Sequence, residues 1–97
     1  MTTNRYIVLI TGANAGLGFE TVRGFCSSSK TEYEILLGGR SLKKAEQAAE
    51  AARAEFPGSH IVPVQLDIED DASIQALSAK VESTYGRLDI LVNNAGK

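Results

Sequence analysis

The stretch Thr11-Gly-Ala-Asn-Ala-Gly-Leu-Gly18 follows directly on the apolar run Tyr6-Ile-Val-Leu-Ile10, and its reading decides the fold. An apolar strand that breaks into glycines at positions 12, 16 and 18 predicts a tight strand-to-helix turn. Gly12 lets the chain turn sharply off the strand. Gly16 lets backbone approach a pyrophosphate, and Gly18 permits close packing of the helix that opens there. The unpaired N–H groups of that first helical turn then point at an anion. No Lys-Ser or Lys-Thr follows the last glycine, so the turn is not a P-loop.

Outward from this turn, short β-rich runs alternate with stretches of helical spacing. Strands are expected at Arg5–Ile10, Tyr33–Gly38, His60–Leu66 and Leu88–Val92. The first helix spans about Gly16 to Ser28, with Gly24 inside it. Leu42, Ala45, Ala49 and Ala52 mark the second helix, which ends near Phe56. Ile74, Leu77, Val81 and Tyr85 mark the third. Ser41 is placed to cap the second helix and Asp70 or Asp71 the third, with Pro57-Gly58 and Gly86 as stops. The order β-α-β-α-β-α-β, with strands apolar on both faces, predicts an α/β fold. That fold is a Rossmann-like, doubly wound parallel sheet with strand order 3-2-1-4. Pro63 fits an edge position for the third strand, or the late start of a short one.

The bulk composition narrows the partners. The chain has 97 residues, enough for one small domain, and residues 1–97 read as the N-terminal part of a single dinucleotide-binding domain. The net charge is −2, and no charge run exceeds Glu69-Asp-Asp71, which argues against nucleic acid or a membrane surface as partner. One cysteine, Cys26, cannot build a disulfide framework and suits a reducing, cytoplasmic setting. Tyr6–Ile10 is far too short to span a membrane. Nothing suggests a metal site. Cys26 reads as a small core residue and His60 as a surface one.

The pattern T-G-x-x-x-G-x-G after the first strand, together with Asn93-Asn-Ala-Gly96 after the fourth, resembles the short-chain dehydrogenase/reductase family. The glycine spacing is that of its compact, reductase-like branch, and the resemblance covers the chain from Arg5 onward. It implies a nicotinamide cofactor and a carbonyl–alcohol interconversion. From the turn it would place Gly12, Asn14, Gly16, Leu17 and Gly18 at the cofactor. Asp67 and Ile68 would lie at the adenine, although Asp67 also reads as a helix-entry acid. Asn93, Ala95 and Gly96 would line the ribose, with Asn94 a structural hydrogen-bonder.

The residue type after the second strand bears on cofactor choice. NAD binders keep an acid about 20 residues past the turn to accept from the ribose hydroxyls. Here the chain reads Gly38-Gly-Arg-Ser41, and Glu32 and Glu34 fall at the strand's other end. A guanidinium suits a 2′-phosphate, so Arg40 and Ser41 favour NADP(H) over NAD.

The resemblance also implies a catalytic serine and a Tyr-x-x-x-Lys, with the lysine lowering the tyrosine's pKa. Four residues after Tyr6, Tyr33 and Tyr85 stand Ile10, Leu37 and Asp89, so no catalytic residue is assigned. The fourth strand would be an exposed apolar edge, as expected of a truncated piece whose complete form continues the sheet. The expectation is therefore the cofactor-binding portion of an NADP(H)-dependent reductase, unable to catalyse by itself. The alternative is a non-catalytic short protein that binds the nucleotide or forms an oligomer through that open edge.

Overall fold

The structure, a computed structural model, describes residues 5–28 and 30–94. Seven elements alternate along them: β1 (Tyr6–Thr11), α1 (Gly16–Cys26), β2 (Tyr33–Gly39), α2 (Leu42–Glu55), β3 (His60–Gln65), α3 (Asp71–Thr84) and β4 (Ile90–Asn93). The strands form one sheet in the order β3-β2-β1-β4, every pairing parallel. This is the Rossmann-like arrangement expected from the sequence. Pro63 stands in β3 opposite Leu37, on an edge strand as its missing N–H requires.

The apolar strands feed two cores because successive side chains point to opposite faces. Val8, Ile10, Ile35, Leu37 and Ile61 pack beneath α1 and α2, against Val22, Ala45, Ala49 and Ala52. Ile7, Leu9, Leu36 and Val64 face the other way, toward Leu77 and Val81 of α3. Each fully buried Ile or Leu contributes about 1.5–3 kcal/mol to this packing. The alanine stripe of α2 lets that helix lie close to the sheet.

The ends of elements differ from the expected bounds in informative ways. β1 runs through Thr11, and α1 stops at Cys26, where Ser27 takes the cap, instead of reaching Ser28. β2 extends to Gly39 and β3 ends at Gln65. β4 starts at Ile90, not Leu88, because the Asp89 carboxylate replaces a ladder carbonyl. Ile7 N–H donates to Asp89 Oδ2 at 2.7 Å, while Asp89 N–H donates to Ile7 carbonyl at 2.9 Å. Asp70, and not Asp71, caps α3, accepting from Ala72 N–H at 3.0 Å. Gly86 ends it in a left-handed turn with φ of 75°.

Two residues of the expected apolar stripes are not core. Leu42 and Ile74 are each 41% exposed. Leu42 opens α2 in its first turn. Ile74 borders an apolar cavity of about 500 Å³ between α3 and β4, whose rim carries Leu88 and the 59%-exposed Leu91.

Candidate functional site

The carboxyl ends of β1, β2 and β3 open onto one cleft of about 580 Å³, lined by Gly12, Asn14, Arg40, Ser41, Lys44, Leu66, Asp67 and Ile68. In an open α/β sheet this crevice is where ligands bind. Each wall follows from local sequence. Gly12 takes φ of 57°, which turns the chain off β1. Ala13 N–H then donates to Gly38 carbonyl at 2.8 Å, tying the turn to β2. Gly18 seats α1: a β-carbon there would lie 2.1 Å from the Gly12 carbonyl oxygen. The close packing is thus against the turn itself as well as the strand.

Gly16, with φ of 61°, is different, for nothing lies within 4 Å of where its β-carbon would be. Backbone is bare at that point. The helix that begins there starts from Ala15, which gives no side-chain cap, and carries no acid in its first turn. The N–H groups of Gly16, Leu17 and Gly18 precede the first intrahelical bond, made by Phe19 to Ala15 carbonyl at 3.4 Å. Leu17 itself is 81% exposed beside them. A helix terminus with free donors and partial positive charge fits a phosphate. These features suit the pyrophosphate of a dinucleotide.

Arg40 is held by its backbone and not by its side chain. Gln65 Nε2 donates to Arg40 carbonyl at 3.2 Å, and Ser41 caps α2 by accepting from Lys44 N–H at 3.3 Å. Arg5, Arg23 and Arg87 pair with carboxylates, and Arg53 donates to Ile61 carbonyl. The Arg40 guanidinium has no such partner among the described residues, and it borders the cleft. On the far wall, Asp67 Oδ1 accepts from Glu69 N–H at 3.0 Å, and Asp67 N–H donates to Ser73 Oγ at 2.9 Å. One carboxylate oxygen therefore serves the turn into α3, while Oδ2 makes no protein hydrogen bond among the described residues. Both sequence readings of Asp67 have a place in this geometry.

Asn93 lies apart from this cleft. Its carboxamide oxygen accepts from the Thr11 hydroxyl at 3.0 Å, and Asn94 N–H donates to Thr11 Oγ1 at 2.9 Å. Both asparagines thus tie the end of β4 to β1, and Asn93 borders the α3–β4 cavity. Ala95 and Gly96 lie outside the described residues. Two participants escaped the sequence reading. Lys44 belongs to the cleft wall, and Thr11 is the buried hydroxyl that joins the two strand ends. A threonine immediately before the turn glycine was the available signal for the second.

The titratable groups elsewhere do not converge on chemistry. Tyr85 is pushed up to about 12, by burial first and then by its hydrogen bond and charge contact with Glu34. Its hydroxyl donates to Glu34 Oε2 at 2.9 Å, at the amino ends of the strands and away from the cleft. Burial also pushes the Cys26 thiol up, which keeps it protonated. His60 is exposed. Among the described residues no His, Cys, Asp and Glu cluster could hold a metal, and no helix is long and apolar enough to cross a membrane.

Comparison with known proteins agrees with this geometry. The family model described as short chain dehydrogenase matches residues 6–97. A short-chain dehydrogenase of Penicillium roqueforti is 43% identical over 90 residues, covering 93% of this chain and 34% of its own length. Mouse carbonyl reductase [NADPH] 1 is 39% identical over 98 residues, covering 99% of this chain and 33% of its own. The solved menthone neomenthol reductase of Mentha piperita superposes with a TM-score of 0.87 at 36% identity, over 98% of this chain and 33% of that one. The chain thus spans about a third of the length of the curated relatives it matches.

Proposed function

The chain belongs to the short-chain dehydrogenase family, and from that premise we propose that it forms the adenosine half of an NADP(H) site in an oxidoreductase interconverting a carbonyl and an alcohol. One observation carries the choice of cofactor. Arg40, whose guanidinium has no partner among the described residues, borders the cleft at the end of β2, where an NAD binder would present an acid. The mouse relative's name, carbonyl reductase [NADPH] 1, is in keeping with it.

In this reading the Gly16–Gly18 N–H groups take the pyrophosphate. Arg40 and Ser41 take the 2′-phosphate, Asp67 Oδ2 accepts from the adenine amine, and Ile68 offers an apolar wall to the ring. Bound nicotinamide would supply or accept the hydride. The proton on the carbonyl oxygen needs a group poised near neutral pH. Tyr85, raised to about 12 and turned to Glu34, is unsuited to that task. We therefore assign no proton donor within residues 5–94.

Calorimetric titration with NADPH and NADH tests the proposal. NADPH should bind about 10–100-fold more tightly, the range of one or two charge-assisted hydrogen bonds. Arg40→Met should remove most of that difference. Equal affinities in the unaltered protein, or a tighter NADH, would sink the assignment. The other reading, a non-catalytic subunit that pairs through β4, has in its favour the exposed Leu91 and the apolar cavity beside it. Dimerisation without affinity for either nucleotide would favour it.

A further inference from the structure

We propose that Arg53 and Pro63 close the β3 edge of the sheet to strand addition by a second copy of this chain. By composition that edge invites pairing. His60-Ile-Val-Pro-Val-Gln65 is a largely apolar, β-prone run on an outermost strand, and an edge strand offers unpaired backbone groups to any neighbour. Runs of six or seven such residues pair readily between chains when no proline interrupts them.

The register shows which groups face outward. Just past β3, Leu66 N–H donates to Gly39 carbonyl of β2 at 2.8 Å, so the even-numbered residues bond inward. Backbone groups alternate in direction along a strand, so Ile61, Pro63 and Gln65 turn theirs to the open side. Two consecutive groups of that outward row are removed. Ile61 carbonyl accepts from Arg53 Nε at 3.3 Å and from Nη2 at 2.9 Å. Residue 63, as proline, has no N–H to give. An incoming strand would therefore lose two successive ladder bonds in the middle of a six-residue strand.

The two blocks come from different elements. Pro63 acts through the covalent structure of β3 itself. Arg53 acts only once the fold has formed: it stands in the last turn of α2, which Ala45, Ala49 and Ala52 hold against the sheet. Lys43, Glu46, Glu50 and Arg53 follow one another at helical spacing and border a single depression of about 500 Å³ with Gln47 and Pro63. A second strand would have to take these charges out of water as well as forgo the two bonds. The opposite edge is made differently. There β4 is Ile90-Leu-Val-Asn93, without proline, and Leu91 is exposed.

Sedimentation velocity over a range of concentrations tests this with the unaltered chain, Arg53→Ala, Pro63→Val and the double variant. The double variant regains both ladder bonds and should associate about 10–100-fold more tightly than the unaltered protein, the range expected for two hydrogen bonds. Each single variant should fall between them, and any pairing through β4 is common to all four proteins. Hydrogen exchange gives a second reading that needs no substitution. In the unaltered chain the amides of Ile61 and Gln65 should exchange at one rate at low and high concentration, and only in the double variant should they slow as concentration rises. If the double variant associates no more tightly than the unaltered protein, Arg53 and Pro63 do not close this edge. If the Ile61 and Gln65 amides of the unaltered chain slow with concentration, the edge is open and the proposal falls. Neither result bears on the NADP(H) reading, which nucleotide titration decides.

Discussion

The two ends of the sheet are built on opposite principles. At the amino ends of the strands, charge is spent within the protein. Glu34 receives both Arg5 and the Tyr85 hydroxyl, and Asp89 receives Arg87 and the Ile7 N–H. At the carboxyl ends, charge and donors are left open. Arg40 and Lys44 face a cleft, α1 begins without a cap, and Gly16 exposes bare backbone. Buried polar groups left unpaired cost stability, so a fold can leave them so only where solvent or a ligand completes them. The amino end locks α3 and β4 to the sheet. In the function proposed above, the carboxyl end is where an anion would complete such groups.

The sharpest way to break the carboxyl end is to give Gly18 a side chain. Its β-carbon would meet backbone, the Gly12 carbonyl oxygen, at 2.1 Å, and backbone cannot swing aside as a side chain can. Gly18→Ala should cost about 1–3 kcal/mol in chemical denaturation, in the manner of an overpacked core. It should also abolish measurable nucleotide affinity, because α1 is displaced from the turn. Unchanged stability would mean that the helix does not lie on the turn as described.

A change of middle size separates the two ends. Tyr85→Phe removes the hydroxyl that bonds to Glu34, and should cost about 1 kcal/mol with NADPH affinity unchanged. The folded-state pKa of Tyr85, about 12, stands above its ordinary value of 10. Its contribution is therefore fully present below pH 10 and is lost as pH rises toward 12. In a denaturation series, Tyr85→Phe should flatten that part of the alkaline decline. An equal decline in both proteins would show that Tyr85 plays no part in it.

The same contrast explains what the sequence disclosed. Local signals were legible: glycines beside a strand, Ser41 and Asp70 as caps, Gly86 as a stop, and a proline that belongs at an edge. The strand order followed from alternating elements and handed crossovers. What stayed hidden depends on register between distant segments. Thr11 meets Asn93 across 82 positions, and Ile7 meets Asp89 across 82, so neither pairing has a local signature. Asn93, expected beside the cofactor, also accepts from the Thr11 hydroxyl, a tie that the register sets and no local pattern announces. Lys44 was hidden for a different reason: the helical spacing of α2 marks its apolar side, and says nothing about which charged residue of the first turn borders a cleft.

The smallest effect is the most discriminating, because the comparison requires opposite signs from one substitution. Ala15 precedes α1 in an extended conformation, φ −161° and ψ 167°, which is what an N-cap adopts, yet its methyl group accepts no hydrogen bond. An aspartate there could accept from a first-turn N–H and complement the helix dipole, as Asp70 does for α3. Ala15→Asp should therefore raise the stability of the ligand-free protein by about 0.5–1 kcal/mol. If those donors take the pyrophosphate as proposed, the same carboxylate would occupy them and repel its charge, so NADPH affinity should fall about 10-fold. Stability and affinity rising together would mean that the bare end of α1 is a missing cap, not a binding site. A gain in one with a loss in the other would show that the fold gives up a cap at this helix in order to bind.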